Sequence, residues 1–270
     1  MSRRYCANRC ARERLVLSKQ LQLIALTQLP LIEPGDALPA AIQAATDAEG
    51  LALMSGDILV VAQKIISKSE DRYAYLDAVQ PSEEAQQWAA KVDKDPRLVQ
   101  LILDESVEVV KHRPGAMIVE HRNGFVHANA GIDRSNICAV DGRERALLLP
   151  EDANISAARL RSEFTQQGID VGVVISDSAG RAWRNGITGF AIGSAGVPAL
   201  RSAIGAKDLF GRELEVTEMA DADELASAAS LLMGQGSESV PVVIVRGWQW
   251  QPTEQTAACL IRPKKNDLFR

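Results

Sequence analysis

The sequence predicts an α+β protein, in which mixed β-sheets are flanked by helices. Short apolar runs rich in β-branched residues, typical of buried strands, alternate with segments of helical spacing. The pair Asn123-Gly124 lies between two apolar runs and predicts a β-hairpin, so at least one sheet contains antiparallel strands. The 270 residues are enough for a substantial core, and we expect two intimately joined lobes.

Composition indicates a globular protein of ordinary character. Hydrophobic residues make up 46% of the chain and charged residues 24%. The formal net charge of -5 argues against bulk binding of nucleic acid. No apolar run approaches the roughly 20 residues that a membrane span needs, and the basic start lacks the apolar core of a signal peptide. We therefore expect a cytoplasmic protein with neither nucleic acid nor membrane as a partner.

The chain divides into a folded unit and two tails. Residues 1–20 are dominated by Arg and Lys with little apolar periodicity, which predicts a flexible basic tail. Residues 21–250 form the expected folded unit, in which the boundary between the lobes stays open. Residues 251–270 are predicted to be a loose polar tail.

Cysteine and histidine usage favours an oxygen-bound metal over zinc. Cys6 and Cys10 in CANRC are too few ligands for a structural zinc or an iron–sulfur cluster, so free thiols are expected. The three histidines, His112, His121 and His127, form no known zinc motif. Any metal in this protein is therefore expected to bind oxygen atoms.

The first half of the folded unit begins with LQLIALTQLPLI, a predicted strand that leads into a loop. Residues 38–45 predict a short helix with Pro39 in its first turn. Residues 58–62, ILVVA, predict a buried strand. The segment that follows carries Lys64 and Lys68, which would share one face of a helix. Such lysines usually form a solvated face, so a phosphate-binding role needs independent support. Residues 81–111 have helical spacing.

The second half contains the predicted hairpin, PGAMIVEHRNGFVHANAGIDRSN, whose second strand is followed by Asp133 and Asn136. Asn154 is the predicted N-cap of a helix that ends at Gly168. The segment DADELASAASLLMG has an acidic first turn and a terminal glycine, which predict a helix before the strand VPVVIVRG. The intervening GQGSES lacks the third glycine of a dinucleotide-binding fingerprint.

The central stretch of the chain is IDVGVVISDSAGRAWRNGITGFAIGSAG. Residues 171–176 predict a buried strand that ends at Asp177-Ser178, where ligands of α/β sheets commonly lie. A carboxylate and a hydroxyl there can bind magnesium or manganese. The following Arg181 and Arg184, in a predicted glycine-rich loop, suit an anion such as phosphate. A strand, a tight turn and surface arginines explain the same pattern equally well.

Two carboxylates at loop positions, Asp133 and Asp177, favour an enzyme more strongly than either does alone. Ser178 and Gln235 offer further oxygen atoms. Hard oxygen ligands with Arg and Lys nearby indicate metal-assisted chemistry on phosphate. This pattern leaves the nucleotide base and the second substrate open.

Five long motifs follow one another along the chain: GDILVVAQKIISKSEDR, HANAGIDRSN, VVISDSAGRAWRNGITGFAIGSAG, KDLFGRELEVTEMADADELASAASLLMGQ and VPVVIVRG. In this order they resemble the coenzyme F420-0:L-glutamate ligase family, from about residue 21 to residue 247. The resemblance implies a GTP-dependent ligase that joins L-glutamate to the deazaflavin F420-0 and then adds further γ-linked glutamate. It also implies an acyl-phosphate intermediate with release of GDP and phosphate, because a carboxylate is a poor electrophile until its oxygen becomes a phosphate leaving group.

The resemblance assigns roles to individual positions. It makes Asp133, Asp177, Ser178 and Gln235 ligands of a divalent metal, magnesium or manganese, and allows a monovalent cation such as potassium. Nucleotide-contacting positions would be Leu29, Pro30, Leu31, Ile32, Gln63, Lys68, Asn136, Met233, Gly234, Gln235, Gly236, Ser237, Glu238, Ser239 and Val240. We predict catalytic roles for Asp177, Arg181 and Arg184. The family resemblance alone suggests a homodimer.

Two other functions remain as alternatives at this point. One is a different metal-dependent phosphoryl-transfer enzyme on the same scaffold. The other, with less support, is a nucleotide-sensing module without catalysis. GDP release without addition of glutamate would favour the first, and tight GTP binding without turnover the second.

Overall fold

The computed structural model describes residues 19–137 and 142–268 and confirms the α+β class. Helices and several sheets are present, and the largest sheet contains both parallel and antiparallel strands. Cys6, Cys10, Cys138 and residues 1–18 of the predicted basic tail lie outside the described residues. None of the helices within the two described ranges has the length and apolar character needed to span a bilayer.

The central sheet has five strands. They are β1 (Gln22–Leu26), β2 (Ile58–Ala62), β8 (Gly172–Arg181), β9 (Arg184–Ala195) and β12 (Val242–Arg246). Their order across the sheet is β1-β12-β2-β8-β9. Only β2 and β8 are parallel, while the other neighbours are antiparallel.

Further strands and the helices surround this sheet. The remaining strands are β3 (Tyr73–Tyr75), β4 (Ser106–Arg113), β5 (Ala116–His121), β6 (Val126–Ala128), β7 (Arg145–Leu147), β10 (Arg201–Ser202) and β11 (Glu218–Met219). The α-helices are α1 (Leu38–Ala48), α2 (Gln63–Ser69), α3 (Glu83–Val92), α4 (Pro96–Asp104), α5 (Ala153–Gln166) and α6 (Asp221–Met233). Strands β4, β5 and β6 form a second, antiparallel sheet, whereas β3–β7 and β10–β11 are isolated pairs.

Both faces of the central sheet are covered, which explains why β2 consists of consecutive apolar residues. Leu59 and Val61 point into a core that includes residues of α1 and α5. Ile58 and Val60 point to the opposite face, where residues of α6 pack. A third apolar cluster joins α3 and α4 to the β4–β5–β6 sheet. The division into two lobes stays a prediction.

The structure corrects three local predictions. Residues 106–111 are strand β4, not helix. Asp152 caps α5, because its carboxylate accepts the backbone N–H groups of residues 154 and 155. Asn154 lies inside the helix, where its Oδ1 accepts N–H groups from Ser194 and Ala257 at 3.1 and 3.0 Å.

The third correction concerns the segment after residue 250. It is anchored to the folded unit, since Ala257 is buried and the Gln255 side chain accepts two backbone N–H groups from residues 199 and 200.

Strand β8 does not end at Asp177-Ser178 as predicted. It continues to Arg181 and pairs with β9, so the predicted glycine-rich loop is the returning strand of a hairpin. Its pairing with β2 stops at Ser176, opposite Ala62. Beyond Ser176 the strand has one neighbour instead of two and is more exposed. This loss of burial explains why the apolar pattern stops before the strand does.

The glycines of β9 allow helices to approach both faces of the hairpin. A Cβ atom on Gly193 would lie 2.3 Å from the Ala153 carbonyl oxygen of α5. One on Gly189 would lie 2.4 Å from the Ala226 carbonyl oxygen of α6. A change of register opposite residues 175 and 176 separates the two glycines. Close packing of α5 and α6 on β9 therefore depends on the absence of side chains here.

Replacing Gly193 with Ala is expected to lower the free energy of unfolding by about 1–3 kcal/mol, because the new methyl group must displace helix backbone. Urea denaturation measures the effect. Gly180→Ala is the matched control on the same hairpin, since its Cβ would meet no heavy atom within 4 Å. Equal stability of the two variants would contradict the close-approach explanation.

Candidate active site

A cavity of about 550 Å³ lies beyond the end of β2 and collects most of the predicted site residues. Fourteen of the fifteen predicted nucleotide-contacting residues line it: Leu29, Pro30, Leu31, Ile32, Gln63, Lys68, Asn136, Met233, Gly234, Gln235, Gly236, Ser237, Ser239 and Val240. Three of the four predicted metal ligands, Asp177, Ser178 and Gln235, line it as well. Segments that are far apart in the sequence therefore meet around one cavity.

Helix α2 begins directly after β2 and places Lys64 and Lys68 at this cavity. Gln63, the first residue of the helix, is buried, and its Oε1 accepts a hydrogen bond from the Ser67 hydroxyl at 2.9 Å. Because the lysines are four residues apart, they lie on one side of the helix. The expected sharing of a face is confirmed, but both lysines have protein partners instead of forming a solvated surface.

The two lysines hold the loop that carries Asp133. Lys64 Nζ lies 2.7 Å from Asp133 Oδ2 and donates to the Ser135 hydroxyl at 2.9 Å. Lys68 Nζ donates to the Asn136 carbonyl oxygen at 3.3 Å. Burial opposes ionisation of Asp133, but the contacts with Lys64 and Ser135 outweigh it and lower the pKa of this carboxyl. Asp133 is therefore ionised. It does not line the cavity itself, but its partner Lys64 does.

Asp177 is the carboxylate that lines the cavity. Its Oδ1 accepts the backbone N–H of Ser178 at 2.8 Å, and its Oδ2 lies 3.2 Å from Nε2 of His127. Nε2 does not meet hydrogen-bond geometry with any described group, so it and the Asp177 carboxylate attract each other as an ion pair when the imidazole is protonated. Burial opposes protonation of His127, but Asp177 and the Ala128 carbonyl outweigh it and raise the pKa of the imidazole.

Sequence reasoning missed His127, since it belongs to no metal-binding pattern. The available signal was strand alternation. In the run FVHA, period 2 places His127 on the face opposite Val126, and the structure shows His127 buried and Val126 exposed. The partner of that buried face, Asp177, lies 50 positions later and could not be inferred from local pattern.

The segment after α6 lines another part of the cavity. Asn136 Nδ2 donates to the Gly236 carbonyl oxygen at 3.2 Å, which joins this segment to the Asp133 loop. Glu238 is the one predicted nucleotide contact that does not line the cavity. Its Oε2 accepts the Gly236 N–H at 2.8 Å, and backbone N–H groups of the segment lower its pKa. The placement gives Glu238 a role in shaping the loop.

Arg181 and Arg184 lie beyond the cavity, at the far end of the β8–β9 hairpin. They are exposed and directly opposite each other across the hairpin. Neither forms an ion pair with any residue within 19–137 or 142–268. Trp183 between them is 75% exposed and has a left-handed backbone φ of 62°. The structure thus separates the predicted arginines from the predicted metal ligands.

The donor set of the cavity fits a hard divalent cation that takes further ligands from a bound phosphate. Throughout the described ranges, no group of three or more His, Cys, Asp and Glu side chains is arranged to hold a metal. The cavity offers the Asp177 carboxylate, the Ser178 hydroxyl and the Gln235 amide. Magnesium commonly binds proteins through one or two carboxylates and completes its shell with water and substrate phosphates. The adjacent lysines suit the same anionic ligand.

Comparison with known proteins identifies the family. The family model for F420-0:Gamma-glutamyl ligase matches residues 27–247. The chain is also similar to several proteins named coenzyme F420:L-glutamate ligase, including the following three. The protein of Methanothermobacter thermautotrophicus is 42% identical over 253 residues, covering 93% of this chain and 99% of the relative. That of Methanocaldococcus jannaschii is 47% identical over 80% of this chain and 85% of the relative. That of Archaeoglobus fulgidus is 44% identical over 84% and 88%, respectively.

The fold, the polar cavity and these matches together define an enzyme of the ligase class. The chain belongs to the F420-0:gamma-glutamyl ligase family, as the resemblance of its five motifs predicted.

Proposed function

We propose that this protein forms an amide bond between L-glutamate and F420-0, then adds further γ-linked glutamate, with GTP as the phosphoryl donor. The observation that carries the proposal is the cavity around Asp177. It is lined by the 29–32 loop, by Gln63 and Lys68, and by the segment after Met233. A cavity lined by two lysines and by a glycine-containing segment suits a nucleoside triphosphate.

The proposed reaction has two chemical steps. A carboxylate oxygen of F420-0 attacks the γ-phosphorus of GTP, and the bond from that phosphorus to the β-phosphate oxygen breaks, releasing GDP. The amino nitrogen of glutamate then attacks the acyl carbon, expels phosphate and loses a proton to solvent. The products are an amide, GDP and phosphate, so no oxidant or reductant is required.

Residues of the chain supply binding and orientation for these steps. Lys64 and Lys68 would bind phosphate oxygens, since both residues line the cavity. A magnesium or manganese ion would be held by Asp177, Ser178 and Gln235, which line the cavity. Asp133, which pairs with Lys64, would be the fourth ligand. Such an ion would neutralise charge on the transferred phosphoryl group. A potassium site, a homodimer and a cytoplasmic location stay predictions.

One assay tests the function and its alternatives. Protein, GTP, manganese or magnesium, L-glutamate and deglutamylated coenzyme are mixed, and GDP and product mass are followed. We expect one GDP for each glutamate added. GDP without a glutamate increment would instead indicate another phosphoryl-transfer reaction. Tight GTP binding without turnover would indicate a sensor.

We further propose that Arg181 and Arg184 bind the carboxylate-bearing acceptor and not GTP. Like charges directly opposite on paired strands destabilise each other, and an anion held between them would remove that repulsion.

Arg184→Gln is expected to raise the KM for F420-0 about 10-fold or more, because a hydrogen bond to a charged group is lost. The KM for GTP should stay within about twofold. Arg113→Gln, an exposed arginine of β4, is the control. An equal rise in both KM values would contradict the assignment.

A further inference from the structure

We infer that His127 is a positioning residue, which holds the Asp177 carboxylate in the orientation that binds the metal. This inference rests on the proposed function, in which Asp177 is a metal ligand. His127 lies on β6 of the second sheet, whereas Asp177 lies on β8 of the central sheet. Their contact at 3.2 Å is therefore a bridge between the two sheets at the edge of the cavity.

The ring of His127 is fixed by its surroundings. It is 8% exposed, and the rings of Phe125 and Phe190 lie 6.4 and 5.4 Å from it between centroids. Its Nδ1 lies 2.9 Å from the Ala128 carbonyl oxygen. A carbonyl oxygen only accepts hydrogen bonds, so Nδ1 carries a hydrogen atom and donates it there. This bond and the two aromatic rings leave Nε2 directed at Asp177.

Asp177 has few other restraints. Its Oδ1 accepts the N–H of Ser178, the next residue along the chain, and its neighbour across the hairpin is the apolar Phe190. His127 is thus the only side chain of the described residues that forms an ion pair or hydrogen bond with the Asp177 carboxylate. Without this contact the carboxylate could rotate away from the cavity. Losing a partner that orients a metal ligand typically weakens metal binding about 10- to 100-fold.

The experiment measures Mn²⁺ binding to the full-length protein by electron paramagnetic resonance of the free ion. His127→Leu preserves apolar packing but removes both nitrogens, and we expect Mn²⁺ to bind about 10- to 100-fold more weakly. His127→Gln places an amide N–H near the position of Nε2, and its affinity should recover to within about threefold of wild type, since a polar donor again faces the Asp177 carboxylate. In the ligase assay, the concentration of Mn²⁺ for half-maximal rate should shift in parallel, with the KM for glutamate unchanged.

His121→Leu is the matched control. His121 is also buried, stacks on Phe125 at 4.9 Å, and places Nε2 3.6 Å from a carboxylate, that of Glu105. Glu105 does not line the cavity. This variant is expected to lose stability in thermal unfolding and to bind Mn²⁺ as wild type does. A general effect of removing a buried imidazole would weaken Mn²⁺ binding in both variants.

The outcomes separate the inference from the proposed function. If Asp177→Asn loses Mn²⁺ affinity but His127→Leu does not, His127 has no positioning role and the proposed metal site stands. If Asp177→Asn binds Mn²⁺ as wild type does, the metal assignment of Asp177 is wrong. Equal weakening by His127→Leu and His127→Gln would also overturn the inference. Should His127→Leu not fold, His127→Asn replaces it, because Asn keeps a donor near Ala128 and loses the one near Asp177.

Discussion

Replacing Asp177 with Asn is expected to lower turnover by about 100-fold or more while the fold is retained. Asn has the same shape, and its Oδ1 can still accept the Ser178 N–H that Asp177 accepts at 2.8 Å. The substitution removes the negative charge that faces His127 and that would bind the metal. The side chain is only 13% exposed, and because Asn is nearly the same size as Asp, the substitution needs little local rearrangement.

The measurement is kcat over a range of Mg²⁺ and Mn²⁺ concentrations, with circular dichroism as the test of folding. Asp170→Asn is the control, since Asp170 precedes the other end of β8 and pairs with Arg161 at 2.7 Å. Its kcat should stay within about twofold of wild type. If Asp177→Asn turns over near the wild-type rate at every metal concentration, Asp177 is not a metal ligand.

Replacing Glu105 with Ala is expected to lower the free energy of unfolding by about 3–5 kcal/mol. The Glu105 side chain is 7% exposed and lies 3.1 Å from Arg72 and 3.2 Å from Arg122. Nε2 of His121 lies 3.6 Å from the same carboxylate. Removing the carboxylate would leave two guanidinium groups without compensation in a partly buried setting. Arg72 follows α2, the helix that borders the cavity, and Glu105 follows α4. The network therefore joins the end of α2 to the apolar cluster of α3 and α4.

Urea denaturation at neutral pH measures this effect. Glu108→Ala, three residues further along, is the control, because Glu108 and its partner Lys264 are both about half exposed. Exposed ion pairs contribute at most about 1 kcal/mol, so the control should be close to wild type. A loss below about 1 kcal/mol for Glu105→Ala would show that the network adds little stability.

The same network predicts how stability depends on pH. Burial opposes ionisation of Glu105, but His121, Arg72 and Arg122 outweigh it and lower its pKa below the ordinary value of 4.5. The unfolded chain therefore binds a proton at a higher pH than the folded chain does. The stability contributed by Glu105 is fully present above pH 4.5 and is lost as pH falls through the lowered pKa. Below pH 4.5, the difference in the free energy of unfolding between wild type and Glu105→Gln should therefore shrink as the pH falls.

The sequence alone was sufficient for elements whose cause is local. Strand β2 is recognisable because both of its faces are buried, which makes every residue from 58 to 61 apolar. Asn123-Gly124 identifies the β5–β6 hairpin through its turn chemistry. Helix α6 begins with an acidic first turn at Asp221, and Gly234 caps its C-terminal end, as the terminal glycine predicted. In each case a few neighbouring residues fix the backbone, so a short window contains the information.

Tertiary structure alone decided which groups meet at the site and where β8 ends. Strand β8 continues to Arg181 because β9 returns to pair with it, although the apolar pattern stops at Ser176. The ion pairs Lys64–Asp133 and His127–Asp177 join residues many positions apart, and Asn136 bonds to Gly236 across 100 positions. Such contacts arise from strand pairing and from packing between sheets, and the local pattern around one residue does not show which distant residue it will meet. The residue types at the site were therefore predictable from motifs, but their partners were not.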